Sequence, residues 1–290
     1  MPIWVGVLAL TLAFGASVAW GSADFLAGVG CRRIALLAAL LVSQAFGLAL
    51  MLPAALALGG PPPAPSFILL AVLAGTFNAA ALAALYRGLA VGNMGIVAPI
   101  AATDAVIPLA FGVLTGDLLS GLEATGIALA LVGVVLASRP GADKSSSARE
   151  GGRSNTTGVA LALVAAVCFG GFVVTLDGAS DGGVLWAVAF SRLSSVVLIG
   201  AAVLSLRPSL AISRGDTASL LTVGALDLGA SALFATATTI GLLSVVGVLG
   251  SIYPVITIVL AGVLLRERPT GLQRLGTMGV LAGAGLIAAG

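Results

Sequence analysis

Four charged residues lie within otherwise apolar sequence: Asp24, Asp104, Asp227 and Arg192. A carboxylate at the centre of a membrane helix costs about 2.5–3.5 kcal/mol on insertion scales, and is tolerated where it faces a bundle interior or a water-filled cavity. Each of the three acids is thereby a candidate proton carrier, cation ligand or partner for a substrate amine. A plainer reading stands beside each. Asp24 lies toward the end of its apolar stretch, where depth is easily overestimated, and Asp104 and Asp227 could each make a structural hydrogen bond to a neighbouring helix. Arg192 either snorkels its guanidinium to the nearest interface or pairs with an intramembrane Asp or an anionic solute group, for which the planar fork is well suited.

Polar and aromatic residues in the same stretches complete a candidate substrate pocket: Trp20, Ser22, Gln44, Asn78, Tyr86, Thr103 and Tyr253. Ligand sites are mostly apolar walls carrying a few placed polar groups, although any one of these residues also fits a packing role. Trp4 and Trp186 read instead as interfacial belt residues. The chain has no histidine, which removes His metal sites and His proton relays. Cys31 and Cys168 are too few and too far apart for a metal or disulfide framework. Nothing fits the phosphate-binding pattern Gly-x-x-x-x-Gly-Lys-Ser/Thr. No cofactor and no metal is therefore expected, and direct ATP drive is not.

The elements that must position these groups are membrane helices. The 290 residues are 59% hydrophobic and 8% charged, against roughly 25% charged in soluble domains. Apolar stretches of about 20 residues fall near 3–25, 34–57, 67–86, 94–115, 119–138, 158–176, 184–206, 217–240, 242–265 and 270–289. They are long and do not alternate, so helices are predicted rather than a β-barrel. Alternate connections hold Arg32, Arg33, Arg87, Arg139, Lys144, Arg149, Arg153, Arg207, Arg214, Arg266, Arg268 and Arg274, while the opposite connections and both termini hold no Lys or Arg. Lys/Arg-rich short loops stay cytoplasmic. The segregation predicts a cytoplasmic 139–157 loop and non-cytoplasmic termini in a cell (plasma or inner) membrane. With the positive charges acting as topology determinants, no nucleic-acid partner is expected.

The polar segment 139–157, rich in Ser, Gly and mixed charges, reads as a solvated linker. It separates a first five-helix repeat, 1–138, from a second, 158–290. At a separation of 150 residues, Gly112, Val113, Leu114, Gly121, Leu122, Gly126, Leu131 and Gly133 match Gly262, Val263, Leu264, Gly271, Leu272, Gly276, Leu281 and Gly283. An odd number of spans per repeat makes the second half enter the membrane from the opposite side. The predicted fold class is an all-α polytopic membrane protein, its ten transmembrane helices forming two inverted five-helix repeats, an arrangement found in secondary transporters.

Several motifs carry a family resemblance. Trp20-Gly21-Ser22-Ala23-Asp24-Phe25 closes the first span. Tyr86-Arg87-Gly88-Leu89-Ala90 and Val97-Ala98-Pro99-Ile100 flank the connection between the third and fourth. Ser251-Ile252-Tyr253-Pro254 lies in the ninth, ahead of Leu264-Leu265-Arg266-Glu267-Arg268-Pro269. Together, over the whole chain, these resemble the EamA-type members of the drug/metabolite transporter superfamily. There are departures: Asp104 stands at the first-half position matching Pro254, the first turn reads Thr115-Gly116-Asp117, and Arg266 replaces a usual glycine. The resemblance implies a carrier and leaves the solute open.

The reading is a secondary transporter, not an enzyme, moving a small organic solute (amino acid, sugar or drug-like) by alternating access. Its central cavity is expected mainly from spans 1, 3, 4, 6, 8 and 9. Coupling to protons through an intramembrane Asp and uncoupled facilitative diffusion both stay open. From other classes, a polytopic membrane enzyme or lipid-handling protein stays as an alternative, and its acids would come from Asp117, Glu123, Asp177 and Asp181.

Overall fold

Sequences this apolar satisfy their backbone polar groups within helices, because hydrocarbon offers no partner. The computed structural model describes residues 3–30, 34–91, 97, 100–138, 152–210, 212–264 and 270–290. Its helices are α1 (Ile3–Gly30), α2 (Leu36–Leu58), α3 (Pro65–Val91), α4 (Val106–Thr115), α5 (Gly121–Ala137), α6 (Gly152–Ser180), α7 (Val184–Leu206), α8 (Arg214–Thr238), α9 (Leu243–Gly250), α10 (Tyr253–Leu264) and α11 (Gly271–Ala289). Among the described residues, 8 helical segments are long and apolar enough to cross a membrane, with α9 and α10 counted together; α4 and α5 are apolar but shorter.

Helix starts follow local chemistry. Ser120 and Glu123 form a reciprocal capping box at α5, as do Ser213 and Asp216 at α8 and Thr270 and Gln273 at α11. Each box satisfies amide donors that a first turn leaves orphaned. The boxes at α5 and α11 stand 150 residues apart, the separation of the sequence repeat. Gly116 ends α4 with φ 115°, a left-handed conformation that glycine adopts without a Cβ penalty.

Several boundaries differ from the hydropathy reading. α1 runs on to Gly30, which puts Asp24 well inside a helix. α6 begins at Gly152, so the end of the polar 139–157 segment is helical; polar residues in a first turn are invisible to an apolar window. Residues 139–151 lie outside the described ones. The fourth and ninth spans are not continuous helices. Residues 102–105 form turns before α4, with Asp104 N donating to Ala101 O at 3.2 Å and Ile107 N to Asp104 O at 3.1 Å. Residues 251–252 form a turn between α9 and α10. A proline follows each break, Pro108 and Pro254, and its ring denies the helix an i→i−4 bond to the residues just upstream.

The chain forms two compact units, one of Met1–Ala79 with Phe172–Gly241, the other of Ala80–Gly171 with Leu242–Gly290. Each unit therefore draws on both sequence halves, and the boundaries fall inside α3 and α6.

In the first unit, α7 lies along α3 through hydroxyl-to-carbonyl bonds, Ser194 Oγ to Val72 O at 2.9 Å and Ser195 Oγ to Gly75 O at 2.8 Å. Small residues allow the approach: a methyl on Gly75 would overlap the Ser191 carbonyl. Trp186, expected at the interface, is instead 5% exposed. Its Nε1 donates to Gly60 O at 3.3 Å and its ring stacks on Phe190. Its place near a helix start suggested a belt residue, but the packing face of α7 captures it.

In the second unit, α5 and α11 cross antiparallel at glycines. A methyl on Gly126 would stand 2.6 Å from Gly283 O, and one on Gly133 would stand 2.7 Å from Gly276 O. Backbones packed this closely associate through van der Waals contact, as small-residue membrane interfaces do. Asp117, just past α4, accepts from Ser244 N at 2.9 Å and Ser244 Oγ at 2.7 Å at the start of α9. A carboxylate there satisfies an orphaned amide and complements the helix dipole.

Candidate functional site

In the first unit, four helices bring a charged cluster together within their apolar lengths. α7 supplies Arg192, α8 supplies Asp227 and Ser231 one turn apart, α2 supplies Gln44 and α1 supplies Trp20. Arg192 lies roughly 60° around α7 from Ser195, turned to the side where α2 and α8 meet it. It is 3% exposed. Its Nη1 pairs with Asp227 Oδ2 and donates to Gln44 Oε1 at 2.5 Å. Its Nη2 donates to Asp227 O at 2.9 Å and Ser231 Oγ at 2.6 Å. Arg192 is thus an ion-paired core residue, and the snorkelling alternative does not describe it.

Asp227 accepts two further bonds, from Trp20 Nε1 at 3.1 Å and Gln44 Nε2 at 3.0 Å. Gln44 bridges the pair: its amide nitrogen donates to the carboxylate while its oxygen accepts from the guanidinium. Only that orientation of the amide satisfies both neighbours. Phe172 meets the Trp20 ring edge-on at 6.3 Å and Phe234 lies tilted to it at 5.6 Å. A lone guanidinium or carboxylate within an apolar span is costly; paired and hydrogen-bonded, the two charges cancel.

Asp24 follows Trp20 by one turn on α1. Its side chain is exposed, and it lies within electrostatic reach of Asp227. Among the described residues, no hydrogen bond or ion pair engages its carboxylate.

The remaining candidates have no described bond to this cluster. Asn78 is buried on α3, without a bond to the cluster. Asp104, 3% exposed, belongs to the second unit, where its Oδ1 accepts from Ala105 N at 2.9 Å at the break before α4. Thr103 Oγ1 donates to Ile100 O at 2.7 Å at the same break. Tyr253 opens α10, in the second unit. The Tyr86 side chain lies outside the described residues. Ser231 was not anticipated, because a serine in an apolar helix resembles packing; its signal was the i+4 spacing from Asp227. Of the acids that an enzyme would draw on, Asp117 and Glu123 are engaged as helix caps.

Long apolar helices around a buried charge cluster define a multi-pass membrane protein. The chain belongs to the EamA-like transporter family, matching it twice, over residues 7–139 and 156–289. It is accordingly a membrane transporter of the drug/metabolite transporter superfamily. A solved protein described only as a crystal structure has the same fold, with a TM-score of 0.80, 17% identity, and coverage of 96% of this chain and 97% of the other. No curated protein matches.

Proposed function

We propose that this protein is a secondary transporter that carries a small organic solute across the cell membrane by alternating access, with Asp24 as its proton-coupling carboxylate. The observation that carries the reading is the asymmetry between two neighbouring acids. Asp227 is engaged by Arg192, Gln44 and Trp20, whereas Asp24 has no described partner and is exposed. A coupling carboxylate must exchange its proton as access alternates, and a group locked into an ion pair is poorly placed to do so. Asp104, whose described partner is a backbone amide, is the second candidate.

The proposed architecture is ten spans in two inverted repeats, with 139–157 cytoplasmic and both termini outside. The glycine contacts support it. Repetition relates Gly126 to Gly276 and Gly133 to Gly283, and the close approaches are Gly126 to Gly283 and Gly133 to Gly276. Exchanging the repeats maps each approach onto the other, as a two-fold axis perpendicular to two antiparallel helices requires. For helices that cross the membrane, such an axis lies in the membrane plane.

The test has two stages. Metabolite profiles of cells with and without the protein identify the transported solute. Reconstituted vesicles enclosing a pH dye then report proton movement when that solute is added. The parent protein is expected to move protons with solute, and Asp24→Asn to move none even when solute is raised to offset weaker binding and restore exchange. Solute-evoked proton movement at the parent's level in Asp24→Asn would remove Asp24 from the role, and none in the parent would make the carrier uncoupled.

A further inference from the structure

Charge and exposure at Asp24 together point to a solute class. On α1 the exposed residues Trp4, Val7, Leu8, Phe14 and Val18 recur at helical spacing and form its outward stripe. At 3.6 residues per turn, Asp24 lies roughly 130° around the helix from the centre of that stripe. It shares a side with Ala13, Ala16 and Ser17, which are fully covered, and with Trp20. Protein atoms surround it densely, yet its side chain is exposed. The stripe ends at Val18, since Phe25 is buried; beyond it Asp24 is exposed one turn from Trp20, whose ring nitrogen reaches Asp227, and so lines an opening beside the charge cluster.

The charges at this opening do not cancel. Arg192 and Asp227 neutralise each other, and Asp24, once its proton has left, adds one negative charge beside them. Arg192 is not available to an anionic solute, because both of its terminal nitrogens already donate to Gln44, Asp227 and Ser231. An anion would also meet two carboxylates. A cation would meet one free carboxylate and, a turn away, the partly exposed ring of Trp20. Such a ring attracts a cation placed over its face.

We infer that the opening at Asp24 and Trp20 binds the positively charged end of the solute, a protonated amine or an organic cation of similar size. The inference rests on the transport reading for its site and is tested without any gradient. Benzylammonium, benzyl alcohol and benzoate share a shape and differ in charge, and their binding to the purified full-length protein in detergent is measured by titration calorimetry. Benzylammonium is expected to bind at least about tenfold tighter than the other two. Asp24→Asn should weaken it about 10- to 100-fold, the loss of one charge-assisted contact, while Asp24→Glu restores most of it. Trp20→Leu should cost several-fold and Trp20→Phe less.

The three-ligand comparison on the parent protein needs no variant, so a poorly folding Asp24→Asn protein does not spoil the test. Benzoate binding as well as benzylammonium, no saturable benzylammonium binding, or amine binding unchanged in a folded Asp24→Asn protein would each overturn the inference. Amine binding that needs Asp24 in a protein moving no protons would leave this inference standing and remove the coupling. Proton movement through Asp24 without amine preference would do the reverse.

Discussion

The Arg192–Asp227 pair makes an unequal prediction about its two halves. Asp227→Leu leaves a guanidinium only 3% exposed with three neutral acceptors, Gln44 Oε1, the residue-227 carbonyl and Ser231 Oγ. Stranding a buried charge by removing its partner costs about 3–5 kcal/mol. Arg192→Met leaves a carboxylate whose side chain is 22% exposed and which keeps the Trp20 and Gln44 donors. Partial access to water and two remaining bonds hold that loss to about 1–3 kcal/mol. The double variant Asp227→Leu, Arg192→Met removes both charges. Its residual cost is the unpaired Trp20 and Gln44 groups, so it should be more stable than Asp227→Leu alone, with a coupling of about 2 kcal/mol or more. The assay is thermal unfolding of the four purified proteins in one detergent. The expected order of stability is parent, then Arg192→Met, then Asp227→Leu, with the double variant above Asp227→Leu. Additive losses, with the double variant the least stable, would refute the claim that these charges stabilise one another.

Other outcomes follow from single contacts. Gly283→Ala sets a methyl 2.5 Å from Gly126 O, overpacking worth about 1–3 kcal/mol; Gly279→Ala, whose methyl meets nothing nearer than 3.5 Å, should melt like the parent, and equal behaviour would dissolve the α5–α11 contact. Asp117→Ala removes both bonds to Ser244 and should cost about 0.5–2 kcal/mol, with Asp117→Asn recovering part of it in the same melting assay. A reporter fused within 139–157 should read cytoplasmic and one after Gly290 outside; the opposite pattern would overturn the positive-inside assignment.

Membrane character was legible because hydrocarbon imposes its demand on every residue of a span. The four charged residues were legible for the same reason: each is improbable where it stands. Their partners were not. Arg192 and Asp227 sit 35 residues apart on different helices, and choosing between an interface and an acid required knowing that α2 and α8 pack beside the Arg192 side of α7. Trp186 was misplaced by the same gap, since a tryptophan near a helix end looks identical whether it faces headgroups or Gly60. The helix breaks were half visible. Pro254 and Pro108 stand in the sequence, but hydropathy windows average over the turns at 251–252 and 102–105. That put Asp104 at the middle of a helix instead of at an interruption, where its carboxylate accepts from Ala105 N.

The glycine repeat shows how much one chain can say about itself. Eight matched positions, four of them glycine pairs, make the two segments alike, but likeness alone does not place them in contact. Their contact adds a constraint that repetition does not contain: Gly126 must accommodate the Gly283 backbone, and Gly276, its counterpart, must accommodate the Gly133 backbone. A side chain at any of the four enters the same crossing. An interface between repeated segments holds both copies of a small residue at once, because losing either leaves a backbone with no room. That mutual constraint gives a physical reason for the glycines to match at a separation of 150 residues in the stretch where α5 and α11 meet.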